Sequence, residues 1–164
     1  MRFISSIIPL LALLATAASA ATCSTPGQCI HLNTIYSNAP SGRPGNYFNN
    51  LQFEVWEDNA DSSEVALCRA DWDYRTPAGR PQGYIICNTT AWSWYVPSYE
   101  SFKVFDLEVR HDFQDQNNTW HEKYARLNLN SETASCGGSA VGAAGCTWGP
   151  VDAAVYNETT SSWY

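Results

Sequence analysis

Six cysteines constrain this chain more than any other feature of its sequence. All of them follow an apolar N-terminal stretch. An even number of cysteines in an exported chain is typical of a disulfide framework, because oxidising compartments preserve disulfides and the cytosol does not. The sequence therefore predicts a fold stapled by disulfide bonds. The six are Cys23, Cys29, Cys68, Cys87, Cys136 and Cys146.

The spacing of these cysteines favours pairing between sequence neighbours. One pair brackets a Pro-Gly turn, a second flanks a turn-rich stretch between two strand-like runs, and a third flanks a loop rich in glycine and alanine. Six cysteines allow 15 connectivities, so spacing alone leaves the pairing open. The local pairs are Cys23 with Cys29, Cys68 with Cys87, and Cys136 with Cys146.

The N-terminus has the pattern of a secretory signal peptide. A basic start at Arg2 precedes an apolar run over residues 3–17, and Ala18-Ser19-Ala20 matches the small-x-small cleavage pattern. The run is shorter than the ~20 residues that a membrane span requires. We expect a signal peptide over residues 1–20 and a single secreted domain over residues 21–164, located outside the cell and not in a membrane.

The charge balance argues against one class of partner. The chain has a formal net charge of −7, no cluster of basic residues, and only Lys103 and Lys123 as lysines. Nucleic acid and anionic membranes would be repelled. Phosphate-binding and calcium-binding loops are also missing from the sequence, so we expect no cofactor.

Alternating apolar and polar residues run through residues 51–55, 65–67, 105–109 and 125–129. This period of two is typical of half-buried strands, and clusters of Gly, Pro, Asn and Asp separate the runs. The apolar members, among them Val65 and Leu67, are expected to face the core. We predict an all-β fold: an antiparallel barrel or sandwich, stapled by disulfides, with little or no helix after the signal peptide.

One β-hairpin can be predicted in detail, between the run ending at Phe113 and the run beginning at Thr119. A turn centred near Gln116 would place Phe113 opposite Thr119 and His111 opposite His121. This register matters because a one-residue slip would exchange the two faces of the hairpin.

Three sequons predict N-glycosylation in surface loops of a secreted chain. They begin at Asn88, Asn117 and Asn157, and Asn117 falls at the tip of the predicted hairpin.

An enzymatic hypothesis depends on the same hairpin. His111 and His121 with nearby carboxylates could perform acid–base chemistry in a small secreted hydrolase. A ribonuclease would use His111 with Glu108 and Arg126. A glycosidase would need a carboxylate pair, which Asp71 and Asp73 could supply, although the plainer interpretation of these two residues is a solvated turn. The plainer interpretation is that these side chains are solvated surface groups, and we predict that the protein is not an enzyme.

Aromatic residues crowd one short segment that contains Trp92, Trp94 and Tyr95. If these rings are exposed, they would form a stacking platform for a sugar ring or a planar phenolic ligand. Together with Trp120, they would suit a carbohydrate- or cell-wall-binding module. Buried, the two tryptophans would belong to the core, which is the interpretation we favour.

The order of motifs resembles the Alternaria allergen 1-like (AA1-like) family of fungal secreted proteins. Residues 46–51 (NYFNNL) and 53–55 (FEV), residues 84–87 (YIIC), the later cysteine pair around a Gly-rich loop, and residues 151–155 (VDAAV) follow the family's order. The resemblance implies an antiparallel β-barrel with the two later cysteine pairs bridged within the chain. It also implies a secreted effector or allergen, without agreed catalysis, that binds a plant defence protein or a small phenolic ligand.

The N-terminal cysteines depart from that family. The family's type member uses a single cysteine there to form a disulfide-linked dimer, whereas Cys23 and Cys29 can bridge each other in this chain. We therefore expect a monomer or a non-covalent dimer whose partner is a host extracellular protein or a small ligand.

Overall fold

A computed structural model describes residue 23 and residues 27–58, 64–76, 79–140 and 142–162. The predicted signal peptide lies outside the described residues. Eleven strands and no α-helix occur in the described part, as the alternating sequence pattern predicted. The strands are β1 (Cys29–Ala39), β2 (Phe48–Trp56), β3 (Ala66–Asp73), β4 (Ile85–Ile86), β5 (Trp92–Tyr95), β6 (Tyr99–Ser101), β7 (Val104–Gln114), β8 (Thr119–Leu129), β9 (Ser135–Gly138), β10 (Ala144–Trp148) and β11 (Val151–Ser162).

The strands form a nearly closed antiparallel barrel. Its order is β3-β2-β1-β11-β8-β7-β5-β4, while β10 joins β1 to β9 and β6 pairs with β7. At the seam, the Leu67 N–H donates to Asn88 Oδ1 at 2.8 Å, and the Asn88 N–H donates to the Leu67 carbonyl at 2.9 Å. The Cys68–Cys87 disulfide crosses the same seam. The first and last strands of the sheet are therefore held together.

The barrel interior is filled by the inward faces of the strands. Leu51, Phe53 and Val55 are buried, as their alternation predicted. The prediction for Val65 and Leu67 was wrong, because both side chains are about half exposed. Phe53 pairs in register with Cys68, so the buried cysteine and Ala66 take the inward positions of β3, and the larger aliphatic side chains point outward.

The hairpin between β7 and β8 exists, but its predicted register was wrong. Phe113 lies opposite His121, and His111 lies opposite Lys123. The turn is held by Asp115, whose Oδ1 accepts the N–H groups of Asn117 and Thr119 at 2.9 and 2.8 Å. This interaction centres the turn one residue later than expected. The slip of two residues on one strand leaves the faces unchanged, so both histidines still share a face.

All three local cysteine pairs are disulfides, and no cysteine among the described residues is free. The N-terminal Cys23–Cys29 bridge lies within the chain, which leaves neither cysteine for a covalent dimer. Three disulfides indicate an extracellular or otherwise oxidising environment. Within the described ranges, no helix is long and apolar enough to cross a lipid bilayer.

Candidate functional site

A cluster of buried ionisable side chains lies inside the barrel, and we call Glu57, His111 and Lys123 the buried ion cluster. The side chains of Glu57 and His111 are fully buried, and that of Lys123 is 6% exposed. His111 Nδ1 lies 2.7 Å from Glu57 Oε2, and Lys123 Nζ donates to Glu57 Oε1. The cluster assembles because His111 and Lys123 are direct partners across the β7–β8 ladder, while Glu57 follows the end of β2.

The N-terminal loop completes this cluster. Lys123 Nζ also donates to the Gly27 carbonyl at 2.9 Å. Gly27 has a φ of +80°, and a Cβ there would lie 3.3 Å from Lys123 Nζ, so glycine suits both the backbone and the close approach. Burial raises the pKa of Glu57, but hydrogen bonds from His111 and Lys123 outweigh it, and the pKa is lowered overall. The carboxylate is therefore charged at neutral pH.

Aromatic rings connect this cluster to the second histidine. His111 stacks on Trp92 with ring centroids 3.9 Å apart, Phe113 stacks on His111 at 4.8 Å, and His121 stacks on Phe113 at 4.7 Å. At the end of this row, His121 Nδ1 lies 2.8 Å from Glu158 Oε1. The two histidines thus share a face, but the Phe113 ring separates them.

The residues of the ribonuclease hypothesis do not come together. His111 points into the barrel, whereas Glu108 and Arg126, which pair with each other across β7 and β8, lie on the outer face. Alternation along β7 puts positions 108 and 111 on opposite sides of the sheet. The other carboxylates near His111, Asp112 and Glu122, are also cross-strand partners on the outer face.

The carboxylates proposed for a glycosidase lie on strand β3, not on the solvated turn that we favoured. Each is paired with an arginine. Asp73 Oδ2 lies 2.5 Å from Arg75 Nη2, and Asp71 Oδ2 lies 3.0 Å from Arg69 Nη2. Hydrogen bonds from the side chain and backbone of Arg75 lower the pKa of Asp73 to about 2. No group of His, Cys, Asp and Glu among the described residues is arranged to hold a metal ion.

The aromatic platform is not formed, because Trp92 and Trp94 are buried in the core. Trp94 packs edge-on against Phe53 with centroids 5.2 Å apart, and Trp92 stacks on His111. The exposed row of three tryptophans that a carbohydrate-binding module would need is therefore absent, since only Trp120 of the three is exposed. Tyr95 alone of the three predicted binding aromatics lies on the outer face.

Tyr95 belongs to an outer surface that the sequence did not reveal. We call Tyr84, Tyr95, Tyr124, Tyr156 and Glu108 the tyrosine face. Their rings form a connected series, with centroids 4.8 Å apart for Tyr84 and Tyr95, 6.3 Å for Tyr84 and Tyr124, and 6.4 Å for Tyr124 and Tyr156. The four tyrosines come from four separate parts of the chain, and Glu108 comes from a fifth.

Strand register explains how the tyrosine face forms. Tyr95 is the direct partner of Glu108 on β5 and β7, so the two share the outer face. On β11 the register shifts between Val155 and Asn157, a bulge that puts Tyr156 beside Tyr124 on that face. Tyr84 reaches in from the segment before β4. The sequence signal for this surface is the alternation along β7, which puts Glu108 and His111 on opposite sides of the sheet, whereas our ribonuclease hypothesis groups them.

Glu108 acts on three of the four tyrosines of the tyrosine face, whereas the Tyr124 hydroxyl donates to Glu122 Oε2 at 2.9 Å. The Tyr84 hydroxyl donates to Glu108 Oε1 at 2.6 Å. The pKa values of Tyr84, Tyr95 and Tyr156 are raised, chiefly by burial and secondly by the nearby Glu108 carboxylate. Their hydroxyls therefore stay protonated at neutral pH. Arg126 Nη1 lies 3.9 Å from Glu108 Oε2, which is too long for a hydrogen bond.

A separate shallow depression of about 400 Å³ lies beside the Gly-rich loop. Its walls are the ring of Tyr36, the side chain of Asn38 and mostly small residues of β9 and β10. It is broadly open to solvent and has no charged side chain, so it offers less chemistry than the tyrosine face. The three sequon asparagines, Asn88, Asn117 and Asn157, are all exposed.

No protein-family model matches this chain, and comparison with curated proteins and with solved structures gave no match.

Proposed function

We propose that this chain is a secreted, non-catalytic binding protein of the AA1-like type, which uses the tyrosine face to bind an extracellular host protein or a small ligand. One observation carries the proposal. Four tyrosines from distant parts of the chain gather on the outer surface, where the Tyr84 hydroxyl donates to Glu108 and the Tyr124 hydroxyl donates to Glu122. Tyrosine offers a large rigid surface with a polar end, which is why it is enriched at binding interfaces.

The exposure of the rings supports this role. Tyr156 is 59% exposed and Tyr84 is 37% exposed, so aromatic surface remains available after the rings have packed against each other. The disulfides support a scaffold that holds such a surface in an extracellular fluid. The pairings Cys68–Cys87 and Cys136–Cys146 are those that the AA1-like resemblance implied.

The arrangement of the acid–base candidates supports a non-catalytic role. His111 is enclosed in the barrel and held by Glu57, while the carboxylates expected beside it lie on the other side of the sheet. A general acid or base must come within hydrogen-bond reach of its substrate, which this burial prevents in the described structure.

The proposal can be tested by titrating the isotope-labelled, oxidised protein and following the backbone amides by NMR. The probes are a flavonol such as quercetin, an arginine-rich peptide and a soluble oligosaccharide. We expect shifts to concentrate on β5, β7, β8 and β11 around the tyrosine face. Tyr156→Ala should weaken binding about tenfold, as the loss of about 1.4 kcal/mol of ring contact implies.

Tyr74→Ala is the matched control, since Tyr74 is an exposed tyrosine on another part of the barrel, where its ring lies 6.3 Å from that of Tyr47. It should leave binding unchanged. The proposal fails if no probe shifts the tyrosine face, or if Tyr74→Ala weakens binding as much as Tyr156→Ala does.

A further inference from the structure

We propose that the tyrosine face recognises a cationic side chain, a guanidinium or an ammonium, that a basic protein partner presents. This inference rests on the proposed function and names the chemistry of the ligand. Of the two kinds of ligand in the proposed function, we therefore favour the protein partner over the planar phenolic ligand.

The geometry of the rings favours a compact cation over a flat ligand. Neighbouring rings are tilted by 61° between Tyr84 and Tyr95, 64° between Tyr84 and Tyr124, and 46° between Tyr124 and Tyr156. A planar phenol or a sugar ring stacks best on one flat surface and could not lie against several of these rings at once. A compact cation benefits from ring faces that approach it from different directions.

The carboxylate at the centre adds a negative charge on a side chain that is 8% exposed, and its cationic partner among the described residues, Arg126, forms only a long ion pair with it. The hydrogen bond that Glu108 Oε1 accepts comes from a neutral phenol, Tyr84. Arg126 is 3.9 Å from Glu108, and it lies closer to Asp106, at 3.3 Å. A phenol that donates to a carboxylate also gains electron density on its ring, which strengthens the attraction of that ring for a cation.

The protein already places a guanidinium on this surface. Arg110 Cζ lies 5.2 Å from the centroid of the Tyr84 ring, which is within the range of a cation–π contact. Arg110 remains tied to Asp112, with Nη2 2.5 Å from Oδ2. The face of Tyr84 is therefore compatible with a guanidinium, and the exposed ring of Tyr156 has no such partner among the described residues.

The surrounding charges would draw a basic partner to this surface. Carboxylates outnumber guanidiniums two to one on the outer face of the β7–β8 hairpin, and the whole chain has a formal net charge of −7. Such a field speeds the encounter with a cationic partner and makes binding sensitive to salt. The charged residues are Asp106, Glu108, Asp112 and Glu122 against Arg110 and Arg126.

Acetylated triarginine amide is the probe that tests this inference, and binding is measured by NMR at about 50 and about 200 mM salt. We expect the shifts to map to the tyrosine face and the affinity to fall at the higher salt concentration. Glu108→Gln should weaken binding about fivefold to thirtyfold, because it keeps an acceptor for Tyr84 and removes the charge. Tyr156→Ala should weaken it to a similar extent.

Asp71→Asn is the control, since Asp71 is an exposed carboxylate on β3 that is paired with Arg69. It should leave the affinity unchanged. Shifts spread over the whole acidic surface, or equal losses in Asp71→Asn and Glu108→Gln, would overturn the inference. Should Glu108→Gln fail to fold, the exposed Tyr156→Ala decides in its place.

The outcome separates this inference from the proposed function. If quercetin or an oligosaccharide shifts the tyrosine face and triarginine does not, the cation inference is wrong and the binding function stands. If none of these probes binds there, both are wrong.

Discussion

The buried ion cluster gives the sharpest test of the energetics of this fold. Glu57→Gln removes one negative charge from the barrel interior and keeps the size and shape of the side chain. Lys123, whose side chain is 6% exposed, would still donate a hydrogen bond to the Gly27 carbonyl at 2.9 Å, but it would lose its counter-charge. His111 would still find an oxygen acceptor at position 57. The substitution therefore leaves one buried ammonium without its counter-charge and replaces one acceptor oxygen with an amide donor.

The expected magnitude follows from the burial of the pair. Removing one partner of a buried ion pair costs about 3–5 kcal/mol, because the remaining charge stays out of water. For a domain of this size, a loss of that order lowers Tm by roughly 10 °C. The double variant Glu57→Gln/Lys123→Met should recover most of the loss, since it leaves no unpaired charge and fills the space with an apolar side chain of similar length.

Urea unfolding at neutral pH with the disulfides intact measures this free energy. Tryptophan fluorescence is a suitable signal, since Trp92 stacks on His111 with centroids 3.9 Å apart. Asp71→Asn is the control, because its pair with Arg69 is solvent-exposed and such pairs contribute less than about 1 kcal/mol. A loss in Glu57→Gln no larger than in this control would refute the reasoning, as would a double variant less stable than Glu57→Gln.

Three further predictions concern pH, the seam and the glycans. Folding lowers the pKa of Glu57, so the contribution of this carboxylate to stability is present above its ordinary pKa of 4.5 and is lost as pH falls through the lowered pKa. The urea midpoint of the wild type should therefore fall more between about pH 5 and about pH 3 than that of the Glu57→Gln/Lys123→Met variant. Replacing Cys68 and Cys87 by serine removes a disulfide that spans 19 residues and should lower the free energy of unfolding by about 2–4 kcal/mol. Amide exchange at Leu67 should become faster, and unchanged exchange would contradict the role of this disulfide at the seam. Asn157 shares a face with Tyr124, so N-glycosylated protein should bind triarginine more weakly than Asn157→Gln from the same host, and equal binding would count against that placement.

Local patterns in the sequence were enough to predict the fold class. The alternation through residues 51–55 and 105–109 depends on neighbours in the chain, and it correctly indicated strands with buried Phe53 and Leu107. The spacing also favoured the disulfide pairs that the structure shows, since their cysteines are only 6, 19 and 10 residues apart, although it left other pairings open. The alternation failed at Leu67, where Cys68 took the inward position.

The candidate sites could not be predicted, because they depend on contacts between distant segments. Glu57 lies 54 residues from His111 and 66 from Lys123, and no periodic pattern signals that the three meet. The tyrosine face needs the β5–β7 register and the β11 bulge that brings Tyr156 beside Tyr124. The sequence by itself determined a disulfide-stapled β domain, because strand periodicity and close cysteines are local properties. Only the tertiary structure decided which charges are buried and which tyrosines converge, because strand register and bulges arise from long-range pairing.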